Sequence, residues 1–181
     1  KLVRLGWRNV SVLAGGTQGW AAAGYELFSG SNVPSKAFGE VIEHRKHTPW
    51  ISVDELHERV ERGDDIVVVD SRTPEEFADF SLPFAHSLPG AELVYRIQAL
   101  APRPETLVVV NCAGRTRSIV GAQTLIDAGI PNPVVSLKDG TMAWLLAGRK
   151  LSHGRAAPLP EPDAHARQQA RARAESVAAR A

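Results

Sequence analysis

The sequence has a single cysteine, Cys112, in 181 residues. That excludes an internal disulfide framework and leaves no cysteine cluster to hold zinc. The six histidines show no metal-ligand spacing, so neither a metal nor an organic cofactor is expected. No run of about 18 apolar residues occurs, and no helical membrane span is expected. An excess of one charge is also missing. The formal net charge is +1, too small for a field that would gather nucleic acid or a membrane surface. No signal-peptide pattern opens the chain, which sets a cytoplasmic protein as the expectation.

What is present suffices for one well-packed domain with additional segments, since 44% of the residues are hydrophobic. The most informative global feature is an internal repeat. Leu13, Gly16, Thr17, Trp20, Ala23 and Gly24 align without a gap on Leu137, Gly140, Thr141, Trp144, Ala147 and Gly148, and Leu27 and Gly30 continue the match at Leu151 and Gly154. In both copies an apolar run precedes a Gly-Thr turn and a short Trp-bearing helix, the pattern of the last strand and helix of an α/β domain. Residues 1–30 are therefore expected to be the C-terminal strand–helix tail of a preceding, truncated domain of the same type. Residues 31–49 read as a polar linker and residues 50–154 as one complete domain. Residues 155–181 read as a Pro-rich spacer and an Ala/Arg-rich helix leading towards something else.

Within 50–154, apolar strands alternate with helices. Ser52 and Glu55 form one capping-box pattern, and Thr73 and Glu76, with Pro74 at the first helical position, form another. Ile66–Asp70 and Leu107–Asn111 are apolar nearly throughout, as strands covered on both faces must be. Short strands are expected at Ala85–Leu88 and Pro133–Leu137, an amphipathic helix after Pro89-Gly90, and a helix over Ser118–Ala128. The pattern argues for a parallel sheet covered by helices on both faces.

A lone cysteine is most often a small buried hydrophobe, and its neighbours must decide. Cys112 follows a buried parallel strand, where open α/β sheets bind ligands. A six-residue loop, Cys112 to Arg117, leads into a helix. Such a loop points backbone N–H groups at one spot and forms an anion-binding nest, reinforced by the helix dipole. A thiolate there is expected to have a lowered pKa. Gly114 lets the loop curl, Arg115 and Arg117 add positive charge, and Ser118 can cap the helix.

Here the chain resembles the rhodanese (sulfurtransferase) family, from about Pro49 to Gly154. The resemblance rests on the loop Cys112-Ala-Gly-Arg-Thr-Arg117, the strand end Val69-Asp-Ser-Arg72 with Glu76 and Phe77, and the closing Leu137-x-x-Gly-Thr-x-x-Trp144. It implies a rhodanese-like α/β fold, a five-stranded parallel sheet with helices on both faces. It implies that Cys112 is catalytic and accepts a sulfur atom as a persulfide. Ala113, Gly114, Arg115, Thr116, Arg117 and Ser118 would then bind the substrate. Arg96 is a further candidate for donor binding, weighed against an ordinary solvated helix charge. Asp70, Arg72 and Glu76 would form a structural charge network beside the site. The implied partners are a small anionic sulfur donor such as thiosulfate, with mercaptopyruvate second, and a thiol or cyanide acceptor. A protein sulfur acceptor is a further option. Where the family shows Gly-His-Ile-Pro-Gly-Ala, this chain has Phe80-Ser-Leu-Pro-Phe-Ala85, which keeps Pro83 and Ala85 and should alter the local loop shape.

Two other functions are open. Rhodanese-like domains also serve as non-catalytic binding or regulatory modules, in which the cysteine is often lost. Cysteine phosphatases and arsenate reductases use a similar cradle, but with the arginine six positions after the cysteine. Here that position is Ser118, and the arginine falls one earlier, at Arg117.

Overall fold

The computed structural model describes residues 3–25, 27 and 33–179 and divides the chain into two units, Lys1–Ser31 and Asn32–Ala181. In the first unit a 3-10 turn (Val3–Leu5) precedes α1 (Gly16–Ala22), and neither element has a buried residue. The expected strand ahead of Gly16 is not formed, and residues 10–13 are irregular. A lone strand leaves its backbone N–H and C=O groups without partners, so it needs a sheet to join. The repeat nevertheless holds in the backbone. Gly15, Gly16 and Gly24 have φ of 70°, 57° and 81°, and their counterparts Asp139, Gly140 and Gly148 have 56°, 58° and 75°. The extension of the repeat to Gly30 lies outside the described residues.

The second unit holds β1 (Trp50–Ile51), β2 (Ile66–Asp70), β3 (His86–Ser87), β4 (Leu107–Asn111) and β5 (Val134–Leu137). They form one sheet in the order β1-β5-β4-β2-β3, every pair parallel. Side chains alternate across it. Val69, Val108 and Val110 join one core with Leu93 and Ile97 of α5 (Leu93–Leu100) and Ala122 and Leu125 of α6 (Thr116–Asp127). Val68 and Val109 join the other with Leu56 of α3 (Val53–Arg62), Phe77 of α4 (Pro74–Asp79) and Trp144 of α7 (Gly140–Leu146). Each fully buried Leu, Ile or Phe here contributes about 1.5–3 kcal/mol relative to exposure. The rhodanese-like α/β architecture, with helices on both faces of a parallel sheet, is the one expected.

The capping signals work as read. Ser52 Oγ accepts from the Glu55 N–H at 3.1 Å. Thr73 and Glu76 complete a reciprocal box at 3.3 and 3.1 Å. Two segments differ from expectation. Most of the supposed linker is α2 (Val33–Lys46), a helix packed on α6. Gly39 permits this, because a Cβ there would lie 2.9 Å from Thr116 Cγ2. The C-terminal helix α8 (Ala164–Ala178) does not lead away but packs on α5, burying Ala166 and Ala170. Two small residues four apart make a flat strip that lets the helices approach closely.

The family's Gly-His-Ile-Pro-Gly-Ala stretch is altered in a way the core absorbs. The Phe80 ring lies under the Arg72 guanidinium at 4.4 Å, and the Phe84 ring packs edge-on against Trp144 at 5.3 Å.

Arg72 is among the largest fully buried side chains, and Asp70 beside it is wholly buried. The Arg72 Nε and Nη2 donate to the two Asp70 carboxylate oxygens at 2.9 Å each, and Nη2 also donates to the Phe80 carbonyl at 2.5 Å. Removing one partner leaves an uncompensated buried charge. Arg72→Ala should therefore cost about 3–5 kcal/mol in urea unfolding; a loss below about 1 kcal/mol would show that water reaches Asp70 freely.

Candidate active site

Cys112 stands immediately beyond β4, the central strand of the sheet, and is buried at 2% exposure. The loop ahead of α6 is shorter than the spacing suggested. The helix begins at Thr116, so only Cys112–Arg115 bridge strand and helix. Ser118 accordingly sits inside the first turn, where its hydroxyl donates to the Arg115 carbonyl at 2.7 Å.

The far side of the loop is closed by α7. The backbone N–H groups of Thr141 and Met142 donate to the carbonyls of Cys112 and Ala113, both at 2.9 Å. Gly140 has φ +58°, and a Cβ on it would fall 2.2 Å from the Gly114 carbonyl oxygen and 2.4 Å from that of Cys112. Only glycine fits there, which accounts for the Gly-Thr pair of the second repeat. The carbonyl oxygens of Cys112 and Ala113 thus face α7, while the Gly114 N–H is turned to the sulfur.

Burial pushes the Cys112 thiol above its ordinary value, helped by the charge of Asp70. The Ser118 N–H, the Ser118 hydroxyl and the Gly114 N–H hydrogen-bond to the sulfur and pull the other way. The cradle expected from the sequence is present, but the lowered thiol pKa is not. Desolvation of a wholly enclosed sulfur outweighs the hydrogen bonds made to it.

A polar chain ties this loop to the strand ends. Asn111 Nδ2 donates to Asp70 Oδ2 at 3.2 Å and to Thr141 Oγ1 at 2.9 Å, and Thr141 Oγ1 donates in turn to the Cys112 carbonyl at 3.2 Å. Ser71 Oγ and N both donate to the Asn111 carbonyl at 2.9 Å. Asp70 and Arg72 therefore stand behind the loop, one residue removed from the sulfur, and hold it.

The loop arginines are not free. Both Nη atoms of Arg117 meet the carboxylate of Glu76 at 2.7 and 2.8 Å. The Arg117 guanidinium holds Glu76 down to about 2, with the Thr73 N–H adding to the effect. Arg115 is gripped by Glu40, Nε to Oε1 at 2.8 Å, and by Glu43, and lies 3.8 Å from Asp139. Arg96 is committed elsewhere, to Glu92 at 2.7 Å and to Pro160 and Glu161 of the tail at 2.8 and 3.2 Å. Sequence reasoning missed Asn111 and Thr141, ordinary polar residues whose role depends on two strand ends and α7 meeting. It also missed Glu40 and Glu43. The signal for these was two acids three apart in a segment read as unstructured. Among the described residues no cluster of His, Cys, Asp and Glu is placed to hold a metal ion, and no helix is long and apolar enough to cross a membrane.

A family described as rhodanese-like domain matches residues 52–147. A sulfurtransferase from Allochromatium vinosum is 31% identical over 98 residues, covering 54% of this chain and 89% of its own length. The crystal structure of a thiosulfate sulfurtransferase from Pseudomonas aeruginosa superposes with a TM-score of 0.80 at 47% identity, over 99% of this chain. This chain spans 34% of that protein's length. A Rhodopseudomonas palustris protein of unknown function, described as a possible tyrosine phosphatase, superposes with a TM-score of 0.54 at 26% identity, over 70% of this chain and 100% of its own.

Two measurements check the electrostatics. Because its pKa is raised, folded Cys112 should react with iodoacetamide more slowly at pH 7.5 than the same thiol in urea, and its rate should keep rising beyond the usual thiol range. Equal folded and unfolded rates would contradict the burial. Glu76 is depressed from 4.5 to about 2 in the folded chain. Its contribution to stability is therefore complete above about 4.5 and lost as pH falls towards about 2. Glu76→Gln should flatten that acid limb of the stability curve, and an unchanged limb would remove the Arg117 pair as its source.

Proposed function

The chain belongs to the rhodanese-like family, and from that premise we propose that it is a sulfurtransferase whose Cys112 carries sulfur as a persulfide. The observation that supports this most directly is the position of Cys112. It lies at the carboxyl end of the central strand, at the start of a four-residue turn, with the N–H of Gly114 in that turn and the N–H of Ser118 in the first turn of α6 both bonded to its sulfur. The donor is thiosulfate or a similar anion. The Cys112 proton leaves to water, and the thiolate attacks the outer sulfur. The donor's S–S bond breaks, and sulfite departs with the electron pair. The remaining Cys112 persulfide is anionic, and the N–H groups of Gly114 and Ser118 stabilise charge where it develops. Cyanide or an acceptor thiolate then attacks the outer sulfur and regenerates the Cys112 thiolate. A protein sulfur acceptor is chemically equivalent to a thiol one.

The same reading extends to the ends of the chain. The backbone repeat supports residues 1–30 as the tail of a preceding domain of the same kind and 50–154 as one complete domain. The docking of α2 and α8 adds both flanking helices to that domain's outer layers. A phosphatase reading has less support. The arginine stands five rather than six positions after the cysteine, and its guanidinium is already occupied by Glu76.

Intact-mass spectrometry after incubation with thiosulfate tests the proposal. The protein should gain the mass of one sulfur atom, cyanide should remove it as thiocyanate, and Cys112→Ser should abolish the gain while leaving the fold unchanged. Adduct formation should rise with pH through the neutral range, following the raised thiol pKa. No adduct from folded protein with a free thiol would overturn the assignment in favour of a binding module, with hydrolysis of a phosphate ester as the next assay.

A further inference from the structure

Beside a sulfur that must accept an anion, the charges are arranged against anions. Arg115 lies three residues after Cys112, and its guanidinium is met by three carboxylates. Glu40 Oε1 lies 2.8 Å from Nε and Glu40 Oε2 3.1 Å from Nη2, Glu43 pairs with Nη2, and Asp139 is 3.8 Å from Nη1. Arg117 is occupied in bidentate fashion by Glu76. Four carboxylates thus answer the two cations of the loop.

The acids of α2 are held firmly in place. Close packing of Gly39 on Thr116 seats the middle of the helix against the first turn of α6. Its C-terminal end is tied to the far end of α6 by Lys46 to Asp127 at 3.6 Å and, just beyond it, by Thr48 Oγ1 donating to Gln123 Oε1 at 2.8 Å. Glu40 and Glu43, three apart, share one helical face, and both reach Arg115. The helix is a fixed arm that brings two negative charges to the loop.

We infer that Glu40 and Glu43 are specificity-determining residues that withhold Arg115 from the donor and bias the site against doubly charged donors. The inference rests on the sulfurtransferase reading. The bond changes themselves are untouched: the Cys112 Sγ–S bond forms as the donor's S–S bond breaks, and sulfite, or a sulfinate from an organic thiosulfonate, leaves with the electron pair. What α2 alters is the approach of the donor's charge. A dianion such as thiosulfate feels the acids about twice as strongly as a monoanion such as benzenethiosulfonate, because the Coulomb energy scales with the product of the charges.

The test is steady-state kinetics of the full chain with both donors and cyanide as acceptor. The Glu40→Gln/Glu43→Gln variant should lower KM for thiosulfate severalfold and KM for benzenethiosulfonate by a smaller factor, with kcat changed less than either. The gain should shrink as salt is raised from about 0.01 to about 0.5 M, where screening is nearly complete. Adding Arg115→Ala to the double variant should abolish the gain, which a loosened fold would not do. A thiosulfate KM that is unchanged or higher, or equal shifts for the two donors, would overturn the inference. If the double variant melts early, the single Glu40→Gln, whose side chain is 56% exposed, carries the same comparison on an intact fold. Wild-type protein that forms no persulfide with either donor would overturn the sulfurtransferase reading itself, and this inference with it.

Discussion

A buried ion pair governs the carboxyl edge of this sheet. Asp70 and Arg72 are adjacent but for one residue, wholly enclosed, and joined through two parallel hydrogen bonds. Such a pair is costly to desolvate and is tolerated only when its remaining donors and acceptors are satisfied. Here they are satisfied by parts of the chain distant in sequence: the Phe80 carbonyl and ring on one side, and the Asn111 amide on the other. Asn111 passes the constraint to Thr141, and Thr141 passes it to the carbonyl of Cys112. The backbone of Cys112 is thus tied to a polar relay that begins at the neighbouring strand.

The site holds two opposed demands. A sulfur that is almost wholly buried is kept from solvent, yet burial makes it harder to ionise. The N–H groups of Gly114 and Ser118 answer that cost in part, because they cost no reorganisation when charge appears. They remain available because α7 takes up the loop carbonyls, which requires a glycine at position 140. The side-chain charges do something different. Arg115 and Arg117 are spent on carboxylates, and the pairings lace α2, α4 and α6 around the loop. The hydrogen bonds that the structure places on the sulfur therefore come mainly from backbone N–H groups, while the loop's two cationic side chains are paired with carboxylates.

The two copies of the Gly-Thr turn clarify what a repeat can mean. Both keep successive left-handed residues and a short helix, although in the first nothing lies within 4 Å of a Cβ built on Gly16. Backbone geometry of this kind is set locally by glycine and persists without the loop it elsewhere accommodates. The strand ahead of it does not persist, because strand pairing is not local.

Much of the molecule was legible in the residues themselves. Apolar strands, two capping boxes and the cysteine at a strand-to-helix junction are short-range signals, and each physical cause lies within a few residues of its effect. They sufficed for the fold class, for the two long strands and for the place of Cys112 at a strand end. What only the tertiary structure decided was how charge and solvent are distributed around that cysteine. Arg115 and Arg117 read as free cations until helices from distant parts of the chain supplied their carboxylates. A thiol beside N–H donors read as acidic until the fold buried it away from water. Segments 33–46 and 164–178 read as connectors because their own apolar content is slight, and they became layers of the domain only against α6 and α5. Local propensity is written in sequence neighbours, whereas desolvation and ion pairing depend on which surfaces meet, and those meetings exist only once the chain has folded.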